Sequence, residues 1–319
     1  MIKKNKIWPL IYVAAFACSF IASVIFKFNY KPSWAKDYST KWDFSVGTVV
    51  KDIPYGELDS NTFDLYLPAD SSKPSYGLVV YIHAGGFTSG DKSDDSEMLK
   101  WLCSLGYVSC GINYTLFSEE HPDANVYTQS VEIRDSMPYV IAAAKERGYD
   151  IDEMAISGGS AGGCLALLYA YRDCDTSPVP VKMVCEGVGP SSFYPEDWGC
   201  FGFDKNKEAA AGMFSVMAGK TITPDMFGTP EYDELMKDIS ALYWINEDTV
   251  PTVLAYGVHD RMQSYPASIR LNDALDRYSV KHEYYVMPHS GHGLQNDSKI
   301  YRQYMDSVKD YLNTYLPVR

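Results

Sequence analysis

The chain has 319 residues, 46% of them hydrophobic and 22% charged, a balance that supports a sizeable core in one domain, with or without an appendage. Its net charge of −13, with only 28 Lys and Arg and no basic run that stands out, excludes phosphate-backbone binding, so nucleic acid is not an expected partner.

Residues 1–6, MIKKNK, form a short basic tail before an uncharged run, IWPLIYVAAFACSFIASVIF, over 7–26. Twenty residues at about 1.5 Å each span roughly 30 Å, the thickness of a bilayer's hydrocarbon core. Pro9 falls in the first turn, where a helix tolerates it. The run is longer than the roughly 7–15 apolar residues of a signal peptide, and no clean small-x-small site closes it. It predicts a single transmembrane signal anchor, with a cleaved signal peptide and secretion as the alternative. Lys3, Lys4 and Lys6 precede it and Lys27, Lys31, Lys36 and Lys41 follow, so the positive charges do not decide its orientation. The short tail before a large domain places that domain outside the cell. Residues 27–40 read as a polar tether and 41–319 as the main domain.

Apolar runs rich in β-formers recur at 63–68, 77–83, 107–113, 153–157, 181–188, 252–258 and 282–288. Near-continuous runs of this length suit strands buried on both faces of a parallel sheet. Helical patterns lie between them: SVEIRDSMPYVIAAAKERGYD, GGCLALLYAYR, SIRLNDALDRYS, and SKIYRQYMDSVKDYLNTYL with Ile300, Tyr304, Val308, Tyr311 and Tyr315 on one stripe. Alternating strands and helices predict an α/β fold with a mostly parallel central sheet of about eight strands. Residues 191–250 break the alternation and read as a lid insertion. Its large apolar residues, Phe193, Trp198, Phe201, Phe203, Met213, Phe214, Met217, Phe227 and Trp244, suit either a substrate pocket or the lid's own small core.

Of the seven cysteines, Cys18 belongs to the anchor run; the other six, Cys103, Cys110, Cys164, Cys174, Cys185 and Cys200, show no disulfide framework and several sit in apolar runs. No C-x-x-C appears, and no metal site is expected. The absence of a P-loop, of a G-x-G-x-x-G after a first strand and of an acidic cluster implies no cofactor.

The chemistry collects in four places. EMAISGGSAGGC puts Ser160 between a strand and a helix, inside a G-x-S-x-G turn made by Gly158 and Gly162. A bend that sharp strains the serine backbone, so its neighbours must be small, and Gly163 adds room for helix and strand to approach. The hydroxyl then stands at the carboxyl edge of the sheet, with the Ala161 N–H at the helix start facing any oxyanion formed there. YIHAGGFTSGD follows another strand, and Gly85 and Gly86 can bring backbone N–H groups to a substrate carbonyl. One such donor is worth about 3–4 kcal/mol in a transition state. Asp260 follows the strand at 252–258, and His292 lies in the loop after the last strand between Gly291 and Gly293. His292 would serve as the base for Ser160, and Asp260 would fix its tautomer. His289 in the same loop is the alternative base, and Glu186 or Asp204 the alternative acid.

With HAGG, GGSAGG, Asp260 and His292 in that order, residues 60–319 resemble α/β-hydrolase serine esterases of the hormone-sensitive-lipase-like kind. DLYLP before VVYIHAGGFTSGDK is particularly similar to acetyl-esterase and feruloyl-esterase members. The resemblance implies a catalytic triad of Ser160, Asp260 and His292, oxyanion donors at Gly85, Gly86 and Ala161, and substrate contacts from His83 and Phe87. It implies hydrolysis of short-chain acyl esters, among them acetyl or feruloyl groups on carbohydrate. Two positions depart from the family pattern: Ala84 replaces the first glycine of a His-Gly-Gly-Gly loop, and Gly159 stands where many relatives carry Asp. A peptidase of the prolyl-oligopeptidase type and a non-catalytic receptor or adhesion protein on the same fold are the competing readings.

Overall fold

The structure, a computed structural model, describes residues 33–319. The chain divides into two units, Met1–Ser39 and Thr40–Arg319. The described part of the first is a short 3-10 turn, Ser33–Tyr38. The expected tail, the anchor over 7–26 and the start of the tether lie outside the described residues. Among the described residues no helix is long and apolar enough to cross a membrane.

The second unit is built on an eight-stranded sheet: β1 (Gly47–Pro54), β2 (Thr62–Pro68), β3 (Tyr76–Ile82), β4 (Val108–Ile112), β5 (Ile151–Gly159), β6 (Val181–Gly187), β7 (Thr252–Gly257) and β8 (His282–Met287). Their order across the sheet is β1-β2-β4-β3-β5-β6-β7-β8. Both pairings of β2 are antiparallel, and every pairing from β4 to β8 is parallel. The seven apolar runs thus became β2 to β8. β1, GTVVKDIP, was not among them because it is an edge strand with mostly exposed or half-exposed residues and an irregular register between Val50 and Ile53. An edge strand needs no continuous apolar signal.

The helices are α1 (Ser96–Ser104), α2 (Val126–Glu146), α3 (Ala161–Leu168), α4 (Lys207–Ala218), α5 (Pro230–Met236), α6 (Tyr265–Arg277) and α7 (Ser298–Tyr315). α2 begins where Asn125 and Thr128 form a reciprocal capping box, four residues before the stretch read from the sequence. In α7 the buried stripe is Tyr304, Met305, Val308, Tyr311 and Leu312, while Ile300 and Tyr315 are only half-buried. Between β6 and β7 the lid carries α4, α5 and several 3-10 turns.

The sheet decides where the chemistry meets. β3, β5, β7 and β8 run parallel, so the loops that leave their carboxyl ends open on one edge. β3 and β5 are neighbours, yet the chain leaves β3 for β4 on the far side before returning to β5. That reversal opens a crevice at a topological switch point, the usual ligand position of such sheets.

Candidate active site

Ser160 sits between β5 and α3 with φ 54° and ψ −122°, a conformation L-residues rarely adopt. The bend is possible because the backbone crowds in from every side. A methyl group at Gly162 would lie 2.1 Å from the Ile82 carbonyl oxygen, and one at Gly158 would lie 2.4 Å from Gly162. The Ser160 N–H donates to the Gly187 carbonyl at 2.8 Å, tying the bend to the end of β6.

The Ser160 Oγ lies 2.8 Å from His292 Nε2, and His292 Nδ1 lies 2.8 Å from Asp260 Oδ2. The Asp260 side chain is 1% exposed and that of His292 30%, so the carboxylate is enclosed while the imidazole reaches the cleft. Asp260 is held in turn by the N–H groups of Met262 and Gln263, which both donate to its Oδ1, at 2.7 and 3.0 Å. The loops after β7 and β8 are joined, because the His259 N–H donates to the Ser290 carbonyl at 3.0 Å. At Gly257 a methyl group would meet the Ser290 and Gly291 carbonyls at 2.5 Å. Asp297 organises the histidine loop from below, accepting from the Ser290 hydroxyl at 2.6 Å and the His289 N–H at 3.0 Å.

The alternatives lie elsewhere. The His289 ring faces Asp297 at 2.8 Å, with its side chain 77% exposed. Asp204 lies in the lid against Gly199. Glu186 is buried, with Oε2 accepting from the Gly189 N–H at 2.7 Å. The relay therefore consists of Ser160, His292 and Asp260.

Gly85, Gly86 and Ala161 line the cavity beside Ser160. As the first residue of α3, Ala161 has an N–H with no partner inside the helix. Gly85 and Gly86 have φ of 130° and 62°, and a methyl group at Gly85 would strike the Ser89 carbonyl oxygen at 1.8 Å. Phe87, expected to contact substrate, lines the cavity at φ 69°. His83 does not line it. Its ring is buried, stacked on Tyr114 with centroids 4.4 Å apart, and its Nδ1 lies 2.7 Å from the Ala84 carbonyl oxygen. A carbonyl can only accept, so Nδ1 carries the proton, and burial pushes the ring's pKa below the ordinary histidine value. The contact fixes the Ala84–Gly85 peptide plane, and with it the direction of the Gly85 N–H. His83 thus braces the loop from behind and does not line the cavity.

Sequence reasoning missed Gln129, which lies on the buried face of α2 and donates through Nε2 to the carbonyls of Phe87 and Thr115, both at 2.9 Å. Its signal was a large polar residue on a mostly apolar helical stripe that also carries Ser130 and Ser136. It also missed Val188, Pro190, Met262 and Gln263, which line the cavity from loops after β6 and β7.

The cavity measures about 700 Å³. From the lid it takes Trp198, Phe201, Phe203, Met213 and Met217; Phe193, Phe214, Phe227 and Tyr232 instead pack on one another inside the lid. Trp198 and Phe203 do both, lining the cavity while packing on Phe214. Among the described residues, the lining includes no Asp, Glu, Lys or Arg.

The BD-FAE family model matches residues 63–275. The chain is 32% identical over 128 residues to a probable carboxylic ester hydrolase, LipM, of Mycobacterium tuberculosis, covering 39% of this chain and 28% of that protein. It is 30% identical over 137 residues to kynurenine formamidase of Danio rerio, covering 42% of this chain and 44% of that protein. The match thus spans less than half the length of either relative. A solved structure described as a truncated form of a carbohydrate esterase from gut microbiota superposes with a TM-score of 0.63 at 18% identity, covering 86% of this chain and 98% of that one. At that identity the likeness establishes the α/β-hydrolase fold.

Proposed function

The chain belongs to the BD-FAE family, and on that premise we propose that it is a serine carboxylic-ester hydrolase working through an acyl-enzyme on Ser160. The observation that carries this reading is the unbroken relay of two 2.8 Å contacts, Ser160 to His292 to Asp260, opening on the cavity. His292 Nε2 takes the hydroxyl proton as Ser160 Oγ bonds to the ester carbonyl carbon. The carbonyl oxygen becomes an oxyanion facing the N–H groups of Gly85, Gly86 and Ala161. Collapse breaks the bond to the alcohol oxygen, which receives the proton from His292. A water then repeats the sequence on the acyl-enzyme and releases the acid, with Asp260 stabilising the imidazolium in both halves.

The substrates in this reading are acyl esters whose acyl part is apolar and uncharged, from acetyl to a feruloyl-sized group, including esters on carbohydrate. The uncharged lining and the aromatic and Met side chains support that choice. The apolar run over 7–26 extends the proposal to a domain anchored at the outer face of a membrane. Ser160→Ala is expected to lower turnover of p-nitrophenyl acetate at least about 10⁴-fold, and a fluorophosphonate to add its mass to the Ser160 peptide of the unmodified sequence alone. Retained turnover in the variant rejects the reading.

A further inference from the structure

Beneath the Ser160 bend lies a carboxyl group that the relay does not use. Glu186, on β6, has 0% exposure. Its Oε2 accepts the Gly189 N–H at 2.7 Å, while Oε1 is enclosed without a hydrogen-bond partner among the described residues. Two glycines make room for it: a methyl group at Gly163 or at Gly189 would lie 2.8 Å from Oε2. The second glycine after the serine-alanine pair in GGSAGG is therefore matched to an acid 23 residues further along the chain.

The turn that Glu186 spans has an unusual backbone. Val188 has φ 53°, a genuine outlier for a β-branched residue, and its side chain reaches the cavity. Just before it, the Gly187 carbonyl accepts the Ser160 N–H at 2.8 Å; just after it, the Gly189 carbonyl accepts the Tyr256 hydroxyl at 2.7 Å. A conformation of this kind persists only where its surroundings over-determine it.

We propose that Glu186 is a positioning residue for catalysis: through Gly189 it holds the left-handed Val188 and the Gly187 carbonyl, which together seat Ser160 and close the cavity beside it. Burial pushes the Glu186 carboxyl up to about 8, so near neutral pH it is an uncharged acid. The titratable groups that face it are Cys164 of α3, Tyr171 in the turn beyond, Cys185 beside it, Tyr81 of β3, Tyr256 of β7, Tyr284 of β8 and Tyr304 of α7. All are held protonated by their own burial, and none supplies a positive charge. Ionised Glu186 has neutral donors there, the Gly189 N–H and the Tyr256 hydroxyl, but no positive charge to offset its burial, so alkaline pH acts on the turn and, through it, on Ser160.

The inference rests on Ser160 as the nucleophile, and the test separates the two. The rate of fluorophosphonate labelling at Ser160 and kcat/KM for p-nitrophenyl acetate are measured from pH 6 to about pH 9.5 for the unmodified protein, Glu186→Gln and Glu186→Ala. Glu186→Gln keeps the acceptor for Gly189 and cannot ionise; it is expected to stay within about threefold at pH 7 and to lose the alkaline decline near 8. Glu186→Ala is expected to lower kcat and the labelling rate together by about 10- to 100-fold with KM little changed. An alkaline decline in Glu186→Gln identical to that of the unmodified protein overturns the inference, as does unimpaired labelling in Glu186→Ala. If the unmodified protein is not labelled at all, the esterase reading itself fails, and this inference with it.

Discussion

At Gly159, beside the nucleophile, an added methyl group would meet nothing closer than 3.8 Å, whereas at Gly162 it would lie 2.1 Å from the Ile82 carbonyl oxygen. Gly159→Ala is accordingly expected to keep turnover within about threefold and to raise stability by about 0.4–1 kcal/mol, because the unfolded chain loses freedom that the native backbone does not need. Gly162→Ala forces β3 and α3 apart, at a cost of about 1–3 kcal/mol or more, and should abolish most ester turnover. Thermal melts and a p-nitrophenyl acetate assay on the two variants check the contrast; equal behaviour contradicts it. The motif made the bend around Ser160 legible in the sequence, since a glycine cluster around one serine between strand and helix fits a tight turn. The parts played by Gly162 and Gly163 were not fully legible, because the atoms that exclude a side chain there come from Ile82 and Glu186, remote in sequence. His83 was misjudged for the same reason. Its place in HAGG suggested contact with substrate, but the ring turns away onto Tyr114, which nothing local foretells.

The lid is tied to α6 by particular side chains. Arg270 of α6 pairs with the buried Asp197 at 2.6 Å and lies over the Tyr194 ring, 4.5 Å from its centroid. Inside this frame the lid's aromatic core keeps its shape, and Phe201 and Met213, both well exposed, rim the cavity. Phe201→Ala and Met213→Ala each remove apolar surface that a long or aromatic acyl group would cover and an acetyl group would not reach. Each is expected to lower kcat/KM about tenfold for a hexanoate or cinnamate ester and less than about threefold for acetate, as measured on an ester panel. A uniform loss across the panel contradicts the assignment of this rim to substrate. The lid was legible as an interruption between two strands. Which of its aromatics face inward was not, because irregular turns carry no periodicity to sort one face from another.

The eight-stranded sheet joins these parts, and seven of its strands were readable as apolar runs; β1 was not, being half exposed along an edge. Glu186 on β6 gives the whole molecule a pH response. The folded state raises this carboxyl from an ordinary 4.5 to about 8, so it binds a proton that the unfolded chain has released. Its contribution is complete below about 4.5 and is lost as pH rises towards 8, at a limiting slope of about 1.4 kcal/mol per pH unit. Chemical denaturation at pH 5 and pH 8 should show the unmodified protein losing stability over this window relative to Glu186→Gln; parallel curves contradict the shift. The cavity without ionic side chains bears on how a catalytic cycle ends. In the proposed reaction a neutral ester enters without shedding tightly held hydration, but the acid it yields is an anion at neutral pH, and among the described residues no Lys or Arg lines the cavity to pair with it. Its oxygens find donors in the amide hydrogens beside Ser160 and in side chains such as Thr88, Ser89 and Gln263, within a lining that is otherwise mostly hydrocarbon and sulfur. On the proposed reading, hydrolysis turns a neutral guest into a charged one in the same mostly apolar place, and the chemistry itself favours its departure.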